Sequence, residues 1–213
     1  MIFFILCFEI SAQNKEKRLI PILAWLLLDE EAGDANTAEL ARTISENYFL
    51  EYGLYPHVII CLLHREKLDA NREIEEAAES NPIAEQAWLE FHDFIEEAKP
   101  DVSEQLGSGL FIDLHEHGHD IDRLELGYVI SGTQLRNNGQ GVDSLDSLSS
   151  SSCIRYLSQT TTASFTQLIR GEDSLGQLLA DANYRGVPSL LEPFPSAGEA
   201  YFSGGFNTAR HGS

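Results

Sequence analysis

Residues 109–119 read Gly-Leu-Phe-Ile-Asp-Leu-His-Glu-His-Gly-His, and this stretch restricts the fold of the chain more than any other. Leu110, Phe111, Ile112 and Leu114 form a short apolar run, the pattern of a strand whose two faces are both covered. The run exits into Asp113, His115, His117 and His119. In α/β sheets ligands bind in the crevice beyond the carboxyl ends of the strands, so a cluster of metal-capable side chains at that point marks a candidate site. Imidazole is the commonest side-chain metal ligand, and a carboxylate behind it can orient the ring. His115 and His117 are therefore the candidate ligands, with Asp113 behind His115. Gly118 favours a turn, which leaves only His115 with a direction set by the strand's period of two. Glu116 is a candidate general base by position. The competing reading is a solvated His-rich loop.

The surrounding chain has the rhythm of a sheet with crossover helices. Asn36-Thr-Ala-Glu39 has the spacing of a capping box and opens a helix through Leu40, Ala41, Ile44 and Tyr48 that stops at Gly53. Residues 58–63 read as a buried strand. Asn81-Pro82 opens a second helix, with Ile83, Ala87, Phe91, Phe94, Ile95 and Ala98 on one stripe and an end at Pro100; His92 lies beside that stripe as a structural or surface residue. After the central strand, residues 125–130 read as another strand. Residues 139–152 read as a flexible serine-rich loop, and residues 164–170 and 174–183 as two short helices with serine N-caps. Helix, strand, helix, strand predicts an α/β fold with a mostly parallel sheet. At 213 residues it is a single domain, with residues 1–33 as an atypical N-terminal segment. The order His119-Asp120 reverses the His-x-His-x-Asp-His pattern of metallo-β-lactamase-type zinc hydrolases and argues against that group.

Charge limits the partners. With 34 acidic and 14 basic residues the formal net charge is −20, which argues against nucleic acid and anionic membrane, since both need a basic footprint. A small anionic substrate stays possible, because a few arginines make a local positive pocket. The N-terminal run Met1–Ala12 has no basic residue ahead of it and is interrupted by Glu9, so a buried first strand fits at least as well as a secretory signal. That slightly favours a cytoplasmic location. Cys7, Cys61 and Cys153 have no metal-type spacing, and Cys61 in an apolar run reads as a reduced core residue.

Three tracts in order, His64–Arg72, Phe111–His119 and Tyr201–Gly212, together resemble the N-formylglutamate amidohydrolase family over about residues 34–213. The resemblance implies a zinc-exopeptidase-like fold, a three-layer α/β/α sandwich around a mixed sheet. The reaction it implies is zinc-dependent hydrolysis of the amide of an N-acyl amino acid, a small carboxylate. His115 is by that resemblance a zinc ligand, with Asp113 buried behind it. Asp69, Asn71 and Arg72 line the pocket with Arg65 near it, and Arg210 and His211 lie close to the substrate. Guanidinium groups suit such a substrate, because their planar fork clamps a carboxylate with two hydrogen bonds.

Two parts of the family pattern have no counterpart. No histidine precedes His57, so an early Pro-His-Gly tract is missing, and Asp34 matches an acidic ligand position only loosely. The chain also stops at Ser213, before a final strand with a glutamate suited to general-base work. The expectation is a truncated or divergent member that binds zinc weakly and hydrolyses N-formylglutamate poorly. Its alternative is a catalytically incomplete relative that acts as a binding protein. Asp113 and His115 are expected at the end of a central strand, opening into the main pocket, with Arg72 and Arg210 approaching the same cavity.

Overall fold

The computed structural model describes residues 5–8, 24–29, 37–61, 63–137 and 145–212. Strands β1 (Ile5–Phe8), β2 (Ala24–Asp29), β3 (Val58–Cys61) and β4 (Leu110–Asp113) form one sheet in the order β1-β4-β2-β3. β4 runs parallel to β2 and antiparallel to β1, and β2 runs parallel to β3, so the sheet is mixed and β4 lies inside it. The loose N-terminal run thus contributes a strand at Ile5–Phe8. The expected N-cap Asn36, the loosely matched Asp34 and the first part of the serine-rich loop, residues 139–144, lie outside the described residues.

All four residues of β4 are buried, as its apolar run predicts, and alternation along the strand divides them between two clusters. Leu110 and Ile112 pack with Ala38 and Ala41 of helix α1 (Thr37–Tyr52) and with Val58 and Ile60. Phe111 packs with Cys61 and with Trp88, Phe91, Ile95, Ala98 and Val102 of helix α3 (Pro82–Leu106). Between them the five-residue helix α2 (Ile74–Ala78) packs on α3. α1 ends as expected, with Gly53 at φ +71° and its amide donating to the Phe49 carbonyl at 2.8 Å.

Several local expectations are corrected. Strand β3 stands at the end of the described order and buries only Cys61, with Val58–Ile60 half-buried. Helix α3 begins at the predicted Asn81 cap, whose Oδ1 accepts from the Ile83 and Ala84 amides, but it runs through Pro100 to Leu106 and stops at Gly107, φ +78°. A proline inside a helix costs about 3 kcal/mol. Continuing buries Val102 and packs Leu106 against the core, each contributing roughly 1.5–3 kcal/mol at full burial, which offsets the break. The buried stripe is also rotated: Ile83 is 81% and Phe94 55% exposed, while Trp88 and His92 are inside.

The expected strand over residues 125–130 is reduced to β5 (Leu124–Glu125), which pairs not with the main sheet but parallel to β6 (Gly186–Val187). Beyond it the backbone is irregular, and Gly127 lies tightly against another segment. A Cβ there would stand 2.5 Å from the Gly204 amide nitrogen. Helix α4 (Gly132–Asn137) follows, then a 3-10 helix (Asp146–Ser151) where a flexible loop was expected, and helix α5 (Arg155–Thr160). The predicted pair of short helices is present as α6 (Phe165–Arg170) and α7 (Leu175–Asp181), capped by Ser164 and Ser174. The C-terminal tract forms α8 (Phe206–His211), which packs on β4. Cys61 and Cys153 are free and buried. No described helix is long and apolar enough to cross a membrane.

Candidate metal centre and its surroundings

Asp113 ends β4 and is fully buried. His115 follows in the exit loop with its Nε2 3.0 Å from Asp113 Oδ1, although that oxygen makes no hydrogen bond of acceptable geometry. Asp113 Oδ2 accepts from Thr208 Oγ1 of α8 at 3.4 Å. The same nitrogen, His115 Nε2, lies 3.5 Å from Asn71 Nδ2. Asn71 in turn accepts the Asn207 amide at 2.9 Å. The three tracts singled out in the sequence thus meet around His115.

His115 stands outside the one group among the described residues that could hold a metal ion. That group is His117, His119 and Glu125, whose ligand atoms all lie within 4.8 Å of one another. His117 Nε2–H donates to the Arg123 carbonyl at 2.9 Å, and its Nδ1 accepts the His119 amide at 3.2 Å. His119 Nδ1 is 3.1 Å from both oxygens of Glu125, which is fully buried. The donor set fits a divalent ion of intermediate softness. Two imidazoles and a carboxylate are ligands that zinc accepts, and a backbone carbonyl already orients His117 through its other nitrogen, as ligating histidines require. Bonds of about 2.0–2.1 Å in a tetrahedral site put ligand atoms roughly 3.4 Å apart. The His119–Glu125 spacing is already close to this, and the other ligand atoms of the group lie within 4.8 Å. The sequence pointed to His117 as a candidate and, in that role, not to His119 or Glu125, which the fold brings beside it; the two histidines two apart were the available signal. Glu116, the expected base, is half-buried between His115 and His117 in an isolated β-bridge.

The arginines divide into two places. Arg65 Nε and Arg72 Nε both donate to Asp69 Oδ2, at 2.9 and 2.6 Å. Both guanidinium groups are about half exposed and line a pocket of about 650 Å³ with His64 and Lys67. The Asp69 hydrogen bond holds the Arg72 value above its ordinary range. Arg210 is elsewhere, its guanidinium carbon 4.9 Å from the centre of the Trp88 ring. The same ring contacts Arg72 as well, its Nε1 donating to the Arg72 carbonyl at 2.9 Å.

His211 is buried, not at an open pocket wall. Its Nε2 lies 2.7 Å from His92 Nδ1, and its Nδ1 lies 2.9 Å from Glu96 Oε1. Burial, with the nearby His211 and Arg210 charges, pushes His92 down to about 3. Burial and the Lys99 charge lower His211 to about 4, against the pull of Glu96. Burial pushes Glu96 up, but Lys99 and His211 outweigh it and hold its carboxyl below the usual range. No family model matches the chain, and no curated protein or solved structure matches it at a significant level.

Proposed function

We propose that the chain is a zinc-dependent amidohydrolase acting on an N-acyl amino acid, as its resemblance to the N-formylglutamate amidohydrolases implies. The observation that carries this reading is the convergence of His117, His119 and Glu125 just past the carboxyl end of a buried internal strand. The reading includes a three-layer α/β/α sandwich. The division of β3 and β4 side chains between an α1 cluster and an α3 cluster supports helices on both faces of the sheet.

In this reading His117, His119 and Glu125 hold the zinc, and His115 is a neighbour rather than a ligand. Bound zinc supplies a Lewis acid that polarises an amide carbonyl and makes bound water more acidic. His115, with Asp113 Oδ1 3.0 Å from its Nε2, is an imidazole beside a carboxylate that could move a proton between water and the leaving nitrogen once the two align. Glu116 is the second carboxylate within the same run. Arg65 and Arg72 are held in place by Asp69 through Nε, which leaves the outer edge of Arg65 for a substrate carboxylate, while Arg72 Nη1 lies 3.6 Å from Glu76 Oε2 and would exchange that partner for the substrate. Asn71 fixes the distance between that pocket and His115.

The test combines zinc content after dialysis with formate release from N-formylglutamate. The expected result is about one zinc per chain, lost in His119→Ala, and turnover lost in both His119→Ala and His115→Ala. A wild-type protein that retains no zinc overturns the proposal. A second reading, a binding protein with an incomplete catalytic site, is favoured by one observation: both ring nitrogens of His117 are already hydrogen-bonded within the protein. Zinc-independent binding of N-formylglutamate, lost in Arg72→Ala, supports that reading.

A further inference from the structure

Arg123 is one of 14 basic residues in a chain of net charge −20, and its side chain is fully buried. A guanidinium taken out of water needs charge partners and hydrogen bonds on every side. Its Nε donates to Glu125 Oε1 at 3.3 Å, its Nη1 to Glu192 Oε1 at 3.3 Å and Glu199 Oε2 at 2.8 Å, and its Nη2 to the Ala200 carbonyl at 3.0 Å. Arg185 completes the set by gripping Glu192 at 2.7 and 2.8 Å. Two guanidinium groups thus face three carboxylates, and the network carries one negative charge in excess.

Arg123 also reaches all three members of the candidate metal group. Its carbonyl orients His117. Its guanidinium holds Glu125, which in turn holds His119. The other side of the guanidinium belongs to a segment far away in sequence, residues 189–202. That segment adds a direct link, because the Phe202 amide donates to Glu125 Oε2 at 2.7 Å. Tyr201 anchors it beside β5, its hydroxyl donating to the Leu126 carbonyl at 2.6 Å.

We propose that Arg123 is the positioning residue of this metal site and that Glu192 and Glu199, which both accept from Arg123 Nη1, set its affinity for divalent cations by neutralising Arg123 from the far side. The inference rests on the reading that His117, His119 and Glu125 take a metal. The physical reason is charge balance in a medium of low dielectric. With Glu192 and Glu199 in place, Arg123 is satisfied by the 189–202 segment and the charge of Glu125 remains for a cation. Without them, Arg123 falls on Glu125 alone, cancels its charge and turns its oxygens away from the histidines. Metal binding and docking of the segment are therefore linked, each favouring the other.

The experiment uses the full chain and measures Zn²⁺ and Co²⁺ affinity by chelator competition, with folding checked by circular dichroism. Glu199→Gln is the main variant, because this side chain is partly exposed; Glu192→Gln is the second, and Glu199→Asp tests rescue. Glu46→Gln, an exposed position on α1, makes the same charge change outside the network. Removing an outer partner of a metal ligand costs about 10–100-fold in affinity. Glu192 and Glu199 act one step further out, through Arg123, so a loss of about tenfold, the low end of that range, is expected in Glu199→Gln and Glu192→Gln, with partial recovery in Glu199→Asp and none of the loss in Glu46→Gln. Zinc is also expected to slow amide exchange at Phe202 in the wild type but not in Glu199→Gln, an effect that a merely structural glutamate does not produce. A wild type that binds neither metal refutes the metal site itself. A wild type that binds, with folded Glu199→Gln and Glu192→Gln variants binding equally well, overturns this inference alone.

Discussion

Acid should loosen the C-terminal helix before it protonates the carboxylates that hold the rest of the fold. His92 and His211 are buried 2.7 Å apart, with folded-state values near 3 and 4 against an ordinary 6.5. A histidine depressed in this way prefers to stay neutral in the folded protein. Its contribution is complete above the unfolded value and is lost as pH falls from 6.5 through the folded values. At about pH 5 the unfolded chain binds close to two protons at these positions and the folded chain almost none, so stability falls by roughly 2–3 kcal/mol per pH unit. The rings share one hydrogen bond and titrate as a pair, and the total loss is roughly 2–4 kcal/mol between about pH 6.5 and 5. That is a large part of the 5–15 kcal/mol that holds a typical domain together.

The groups facing the pair place the effect. Glu96 accepts from His211 and is held below its usual range, so its own contribution is lost only at lower pH. Lys99 and Arg210 oppose any proton added to the rings. Helix α8 also carries Thr208, bonded to Asp113, and Asn207, bonded to Asn71, so its release disturbs the surroundings of His115. The assay is urea unfolding at about pH 7, 6 and 5, compared with His92→Asn, which keeps a donor near the Nδ1 position and removes the titration. The wild type should show the steep slope and the variant roughly half of it. Stability that is flat over this window, or a variant with the full slope, refutes the reasoning.

Three further outcomes follow from the same structure. Asn81→Ala removes the cap that satisfies two amides at the start of α3 and should cost about 1 kcal/mol in urea unfolding. Gly127→Ala places a Cβ 2.5 Å from the Gly204 backbone nitrogen, and because backbone cannot swing aside it should cost roughly 1–3 kcal/mol, read as a fall in Tm. Zinc at about a hundred times its Kd should stabilise the protein by about 2.7 kcal/mol; EDTA should reverse the shift and His119→Ala abolish it, and an unchanged Tm in the wild type counts against the metal group.

What the sequence determined by itself is local in origin. The buried character of β4, the caps at Asn81, Ser164 and Ser174, and the stop of α1 at Gly53 each depend on neighbouring residues, and each is present. The gathering of polar groups at the end of β4 was legible for the same reason, since a buried run followed by histidines can expose them only at its exit. The length of α3 was not, because burial of Val102 overrides the local cost of Pro100. Nor was the early end of the strand expected over residues 125–130, which stops at Glu125, with Gly127 beyond it lying against Gly204. The partners of the histidines were decided by tertiary structure alone. Beyond Leu114 no repeating backbone geometry aims the side chains, so hydrogen bonds from distant segments do. His119 turns to Glu125, a carboxylate that Arg123 and the Phe202 amide hold in place, and His211 meets His92 across 119 positions of sequence.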